Sequence, residues 1–332
     1  MMLRWTRLAA AAAGLAVGAG CLALAFRGTD PRAVLALLHA GRWGAPAGLV
    51  LAGTVGFVLL KSARWRLLLG SPPELGVLRL AQPVLAGLAL NALVPHAGEF
   101  VRALALQRGS GRAASAVLSS IVAERLFDLL GVLILGAFAL AGLPVPHALV
   151  AAVRLLALVA AVLAAGVVLA LAAPRTVHAL AATLGGALPG RARAWLLRQV
   201  GAALAGLEPV RSLAISAKVF GCSLLQWLAV ALCVYGSAGV AGFSPSLAAT
   251  CLVVVGIVVA FLLPNAPGYT GSVQVAFRYA LQPLGVAEEA ALAASLVYQL
   301  LMVLPTIVVG LALLKRCLTG SAQRVLNSSG VS

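Results

Sequence analysis

Apolar runs of about 20 residues, each long enough to cross a hydrocarbon core of ~30 Å as a helix, recur along this chain. They cover Leu8–Phe26, Ala45–Leu60, Ala113–Ala141, Leu149–Ala173, Val219–Val240 and Glu289–Leu314. Only 10% of the 332 residues are charged and 62% are hydrophobic, whereas soluble domains carry about a quarter charged residues. The class is therefore a polytopic membrane protein, and Ala and Gly supply the small side chains that let spanning helices approach closely. In a soluble protein a net charge of +16 would point to nucleic acid. In this class it marks cytoplasmic loops facing anionic headgroups, so no nucleic-acid partner is expected. Cys21, Cys222, Cys233, Cys251 and Cys317 show neither paired nor metal spacing and read as packing residues. The first run reads as a retained span: it continues past Cys21, and Gly18 stands where a lipoprotein cleavage site carries a large aliphatic residue.

Two further apolar stretches are broken. Leu80–Gln107 is interrupted at Pro95 and Gly98, and Ser246–Leu281 at Pro264, Pro267, Gly268 and Gly271. Each divides into pieces too short for ordinary spans and reads as a re-entrant hairpin of two half-helices. Such backbone is tolerated at membrane depth where protein or a water-filled cavity receives its polar groups. The basic residues fit this topology. Arg4 and Arg7, then Lys61, Arg64, Arg66 and Arg79, then Arg108 and Arg112, then Arg175 to Arg211, and finally Lys315 and Arg316 all fall on one side, the cytoplasmic one. Of the loop residues Arg27, Arg32 and Arg42 fall on the other, and Arg278 of the second broken stretch lies near that surface.

The expected fold is all-α: six full spans and two re-entrant hairpins in an inverted repeat, in a bacterial inner membrane with both termini cytoplasmic. Repeat one would occupy residues 1–143 and repeat two 147–316 of a single membrane domain, followed by a disordered cytoplasmic tail at 317–332. "LVPHAGEFVRALAL" parallels "LLPNAPGYTGSVQVAF", and "AVLSSIVAERLFDLL" parallels "ALAASLVYQLLMVLP". Inverted repeats with paired breaks place transporter sites at their interface. Between Arg175 and Arg211, the arginines 191, 193 and 198 flank apolar residues and read either as a surface amphipathic helix or as a solvated linker.

Of the eight acidic residues, Glu99, Glu124 and Asp128 lie inside apolar segments. A bare charge there costs several kcal/mol, so these groups face a cavity or a partner. Glu124 and Asp128 share a helix face; Arg125 and Asp128, and Glu99 and Arg102, have pairing distance in sequence. Arg102 and Arg125 suit a phosphate by their planar forks. Asn91 and His96 lie in the same hairpin as Glu99; Asn265, Tyr269, Thr270, Ser272 and Gln274 line the second break, and Gln226 and Gln299 add polar groups nearby. His96 and Glu99 lack a third ligand, so no metal is expected, and neither a cofactor nor catalysis.

With these residues in view, "NALVPHAGEFVRALAL…SSIVAERLFDLLGVLIL" resembles the signature of the family that includes the membrane-embedded flippase region of lysyl-phosphatidylglycerol synthase. "LLPNAPGYTGSVQVAF" resembles its second half and "ARWRLLL" (63–69) its inner loop, so the resemblance covers roughly 45–314. Gln274 stands where relatives often carry Glu, and Tyr298 near a common Arg, which argues against carrying over a lysyl-lipid substrate. The resemblance implies a lipid flippase that moves a phosphate-bearing headgroup, anionic or of polyprenyl-phosphate type. Arg102 and Arg125 would bind phosphate, while Glu99, Glu124 and Asp128 gate, bind an amine or carry a proton. The alternatives are a small-solute or ion secondary transporter and a lipid-carrier-dependent group transferase.

Overall fold

The computed structural model describes residues 16, 18–143, 147–262 and 266–319. The start of the first expected span, Asn265 and the expected tail beyond 319 lie outside the described residues. Among the described residues there is no strand. Helical backbone at 18–26 is followed by α1 (Pro31–His39), α2 (Gly44–Leu68), α3 (Val77–Leu93), α4 (Ala97–Ser110), α5 (Ala114–Gly142) and α6 (His147–Ala172). Then come α7 (Pro174–Leu184), α8 (Gly190–Leu207), α9 (Leu213–Val240), α10 (Leu247–Leu262), α11 (Ser272–Leu281), α12 (Glu288–Tyr298) and α13 (Leu304–Thr319). Among the described residues, four helical stretches are long and apolar enough to cross a membrane: Gly44–Leu68, Leu149–Ala172, Leu213–Val240 and Glu288–Cys317.

The first break spans Val94 to His96, whose backbone is left-handed (φ 62°). A short 3₁₀ turn, Pro267–Tyr269, forms part of the second, with left-handed Gly268, Tyr269 and Gly271. Each break is closed in the same way. The Asn91 side-chain oxygen accepts from the Gly98 N–H at 2.7 Å, and that of Gln274 accepts from the Gly271 N–H at 2.8 Å. Backbone donors freed by the breaks thus find amide side chains, as burial requires.

Three elements differ from expectation. The second apolar helix does not stop at Leu60 but continues to Leu68, because no breaker intervenes before Gly70, where φ turns positive. Lys61, Arg64 and Arg66 therefore lie in a helix, not in a loop. The last span is interrupted by a π-helical turn at Gln299–Val303, and α13 continues to Thr319, into the stretch read as tail. The 174–212 connection holds two helices. Of these, α8 packs against α5, burying Leu207 beside Leu68, Ala123 and Phe127 and leaving Trp195 exposed.

Packing is close where residues are small. The helices α2 and α9 run along each other, and a Cβ on Gly53 would stand 2.6 Å from the Cys233 sulfur. Each broken stretch leans on the long helix of the other half. Thus α3 packs along α13 and α10 along α5. A Cβ on Gly310 of α13 would collide with the Leu85 carbonyl and stand 2.6 Å from the Ala89 Cβ. The Pro267–Tyr269 turn also packs on α3, so the two broken stretches meet.

Candidate functional site

Seven charged side chains converge where α2, α4 and α5 meet. Glu124 is fully buried and binds three cations. Lys61 Nζ contacts its Oε1, Arg64 Nη2 lies 3.0 Å from the same oxygen, and Arg102 forms a fork with both oxygens at 3.2 and 2.6 Å. Asp128 takes a second fork from Arg64, at 2.5 and 3.2 Å. It also accepts from Gln226 at 3.2 Å and lies 3.9 Å from Lys61 and 3.8 Å from Arg125. Arg125 pairs with Glu99, which accepts from Asn91 at 3.3 Å.

Two aromatic residues brace the cluster. Arg102 lies 4.1 Å above the Trp65 ring, a cation–π geometry, and Trp65 donates to Ser120 at 3.3 Å. Trp227 donates to the Asp128 backbone carbonyl at 3.0 Å. Ser223 accepts from Arg64 at 2.8 Å.

Helix geometry gives the depth. Glu124 lies about 15 Å into α5 and Lys61 about 10 Å before the end of α2, at ~1.5 Å per residue. Four cations face three carboxylates, an excess of one positive charge. Six of the seven side chains are at most 13% exposed, whereas that of Arg125 is 44% exposed. Buried Arg64 Nε, Arg102 Nε, Glu99 Oε2 and Gln226 Oε1 have no hydrogen-bond partner among the described residues. The network is therefore well paired at Glu124 and incomplete towards Arg125 and Glu99.

The profile of the family described as the lysylphosphatidylglycerol synthase TM region matches residues 11–310, which include every residue of this cluster and both breaks. The chain belongs to this lysylphosphatidylglycerol synthase transmembrane-region family. Searches of curated proteins and of solved structures gave no match. As a member of the family with four apolar helices of spanning length, it is an integral membrane protein.

The candidate residues in this family member fall into two groups. Asn91, Glu99, Arg102, Glu124, Arg125 and Asp128 come together. The local Glu99–Arg102 pair that their spacing allows gives way to two crossed pairs to α5, Glu99 with Arg125 and Arg102 with Glu124. Arg102 is 3% exposed and held by Glu124 and Trp65, so of the two arginines assigned to phosphate only Arg125 has open surface. His96 is exposed at the first break.

Gln274 belongs to an uncharged network at the second break, and Tyr269 beside it lies within electrostatic reach of Arg125 and Glu99. Tyr269 stacks on Phe261 at 4.0 Å. Gln274 donates to Gln299 at 2.5 Å, and Gln299 donates to the Gly268 carbonyl at 2.9 Å and to Thr270 at 3.2 Å. Gln299 sits at the start of the π turn, a form of helix frequent at functional sites.

Lys61 and Arg64 are the residues that sequence reasoning missed. The positive-inside rule assigns them to a loop, yet they are 4% and 0% exposed. Charge balance could have found them, since three carboxylates inside apolar segments need at least as many cations, and Lys61 and Arg64 share a helix face.

Proposed function

We propose that this protein is a lipid translocator of six full spans and two re-entrant hairpins, arranged as an inverted repeat, and that it moves a phosphate-bearing headgroup across the bacterial inner membrane. The observation that carries this reading is the incompletely balanced charge cluster built around the first hairpin, with half-exposed Arg125 at its open edge. Buried charges at membrane depth mark substrate and ion pathways, and the family assignment supports a role with membrane lipids. The reciprocal packing of each broken stretch on the other half's long helix supports the repeat.

Arg125 is the residue that meets the phosphate. In vesicles containing the purified protein, Arg125→Ala is expected to slow translocation of a labelled phospholipid by about tenfold or more, as loss of a charge-assisted fork implies. Arg125→Lys restores only part of the rate. Folded yield is measured alongside, because the substitution strands Glu99, whose side chain is only 13% exposed, and the rate is compared per folded protein. Arg125→Ala vesicles that move lipid at the wild-type rate would refute the assignment.

Cysteines introduced into a variant lacking the native five test the topology. Reagents added from the cytoplasmic side should label Gln107→Cys and Thr183→Cys, and outside reagents Ser244→Cys. Labelling of Gln107→Cys from outside means that the first hairpin crosses the membrane fully.

A further inference from the structure

The charge count narrows the substrate, on the reading just given. We infer that the site accepts a lipid whose headgroup is a phosphodiester with a single net negative charge and a neutral hydroxyl donor. The four cations and three carboxylates leave one positive charge. The remaining ion pairs among the described residues, Arg211–Glu208 and Arg278–Glu288, contain none of these seven groups. An unbalanced charge at membrane depth is costly, so the ligand that completes the site carries one negative charge. A zwitterionic headgroup leaves the excess in place. An aminoacylated, cationic headgroup doubles it. A phosphate monoester, with a second pKa of about 6, over-compensates once doubly ionised.

The unpartnered atoms add the second requirement. Arg125 holds Glu99 through one carboxylate oxygen, and the other, Glu99 Oε2, is buried without a donor among the described residues. A headgroup phosphate that takes the fork of Arg125 sits beside that oxygen, and a hydroxyl on the headgroup donates to it. An amine could also donate, but it would bring a positive charge and undo the balance.

The test uses the whole chain in vesicles and labelled lipids with identical acyl chains, all at pH about 7: phosphatidylglycerol, phosphatidylethanolamine and phosphatidic acid, the last largely doubly ionised there with its second pKa of about 6. Water-soluble glycerophosphoglycerol is added as a competitor. Phosphatidylglycerol is expected to move about tenfold faster than either other lipid, the ratio that a modest charge mismatch produces, and the chainless competitor should not block it. Glu99→Gln raises the excess to two positive charges and should shift preference towards phosphatidic acid. Arg125→Gln removes the excess and should abolish the preference for phosphatidylglycerol over phosphatidylethanolamine.

Faster movement of phosphatidylethanolamine or phosphatidic acid by the wild type would overturn the charge assignment and leave the translocator reading standing. Block by glycerophosphoglycerol as strong as that by the lipid would overturn the assignment to a lipid. If the wild type moves none of the three lipids, both the translocator reading and this one fall.

Discussion

Replacing Glu124 by Gln is expected to unfold the protein before it silences it. Sequence reasoning offers this carboxylate either a gating, amine-binding or proton-carrying role or a place in a buried ion network that holds helices together, and its surroundings favour the second. Glu124 is fully buried, and both of its oxygens are taken by Lys61, Arg64 and Arg102 from two other helices. The substitution leaves those cations beside a neutral amide, and breaking a buried pair of this kind costs about 3–5 kcal/mol. The yield of folded protein and its melting temperature in detergent should both fall sharply. Adding Lys61→Met, which removes one stranded cation, should recover part of the loss, because the two groups are coupled. A Glu124→Gln protein that melts like the wild type would show that the cluster does not hold the helices together.

Gly98→Ala is expected to cost more activity than stability. A Cβ at Gly98 would run into the Gly87 carbonyl and stand 2.8 Å from the Asn91 side chain. The two arms of the first hairpin must separate to admit it. Overpacking of this kind costs about 1–3 kcal/mol, and it also strains the Asn91 bond to the Gly98 N–H that closes the break. Glu99 and Arg102 follow directly on the same helix, so both crossed pairs to α5 shift with it. Sites tolerate about 0.5 Å of displacement, so lipid transport should fall well beyond what the loss of folded protein explains. Gly109→Ala is the control: it lies on the same helix with open space around it and should be neutral or slightly stabilising. Equal behaviour of the two variants would remove the close approach of α3 and α4 from the account of the site.

The apolar helices, the two breaks and the place of Glu124 and Asp128 inside an apolar helix were legible because each rests on local chemistry: runs of apolar residues, proline and glycine where the backbone turns, carboxylates within an apolar run. Partnership was not. Glu99 and Arg102 have the spacing of a pair, but spacing fixes only a shared face, and each side chain reaches a different residue of α5. Lys61 and Arg64 were assigned to the loop because a cation at the end of an apolar run has the same sequence signature whether it meets water or a buried carboxylate. Their role depends on α5 lying beside α2, a tertiary fact. The neutral second network was legible as a set of polar residues, though not as one closed on itself through Gln299.

The exchange of long helices between the halves sets an order of events as the chain is made. Leu85 and Ala89 of α3 are covered by Gly310 of α13, and α13 leaves the ribosome after all the other described helices. Until then the first broken stretch has its own second arm and α5 beside it but no cover on that face. Such long-range closure is slow compared with pairing between neighbouring helices. All seven charged residues of the cluster, between positions 61 and 128, are made before α13, and the arrival of α13 covers the bare face of the first broken stretch. A chain stopped short of that helix would carry every charge of the site and still lack the wall against which its first hairpin rests.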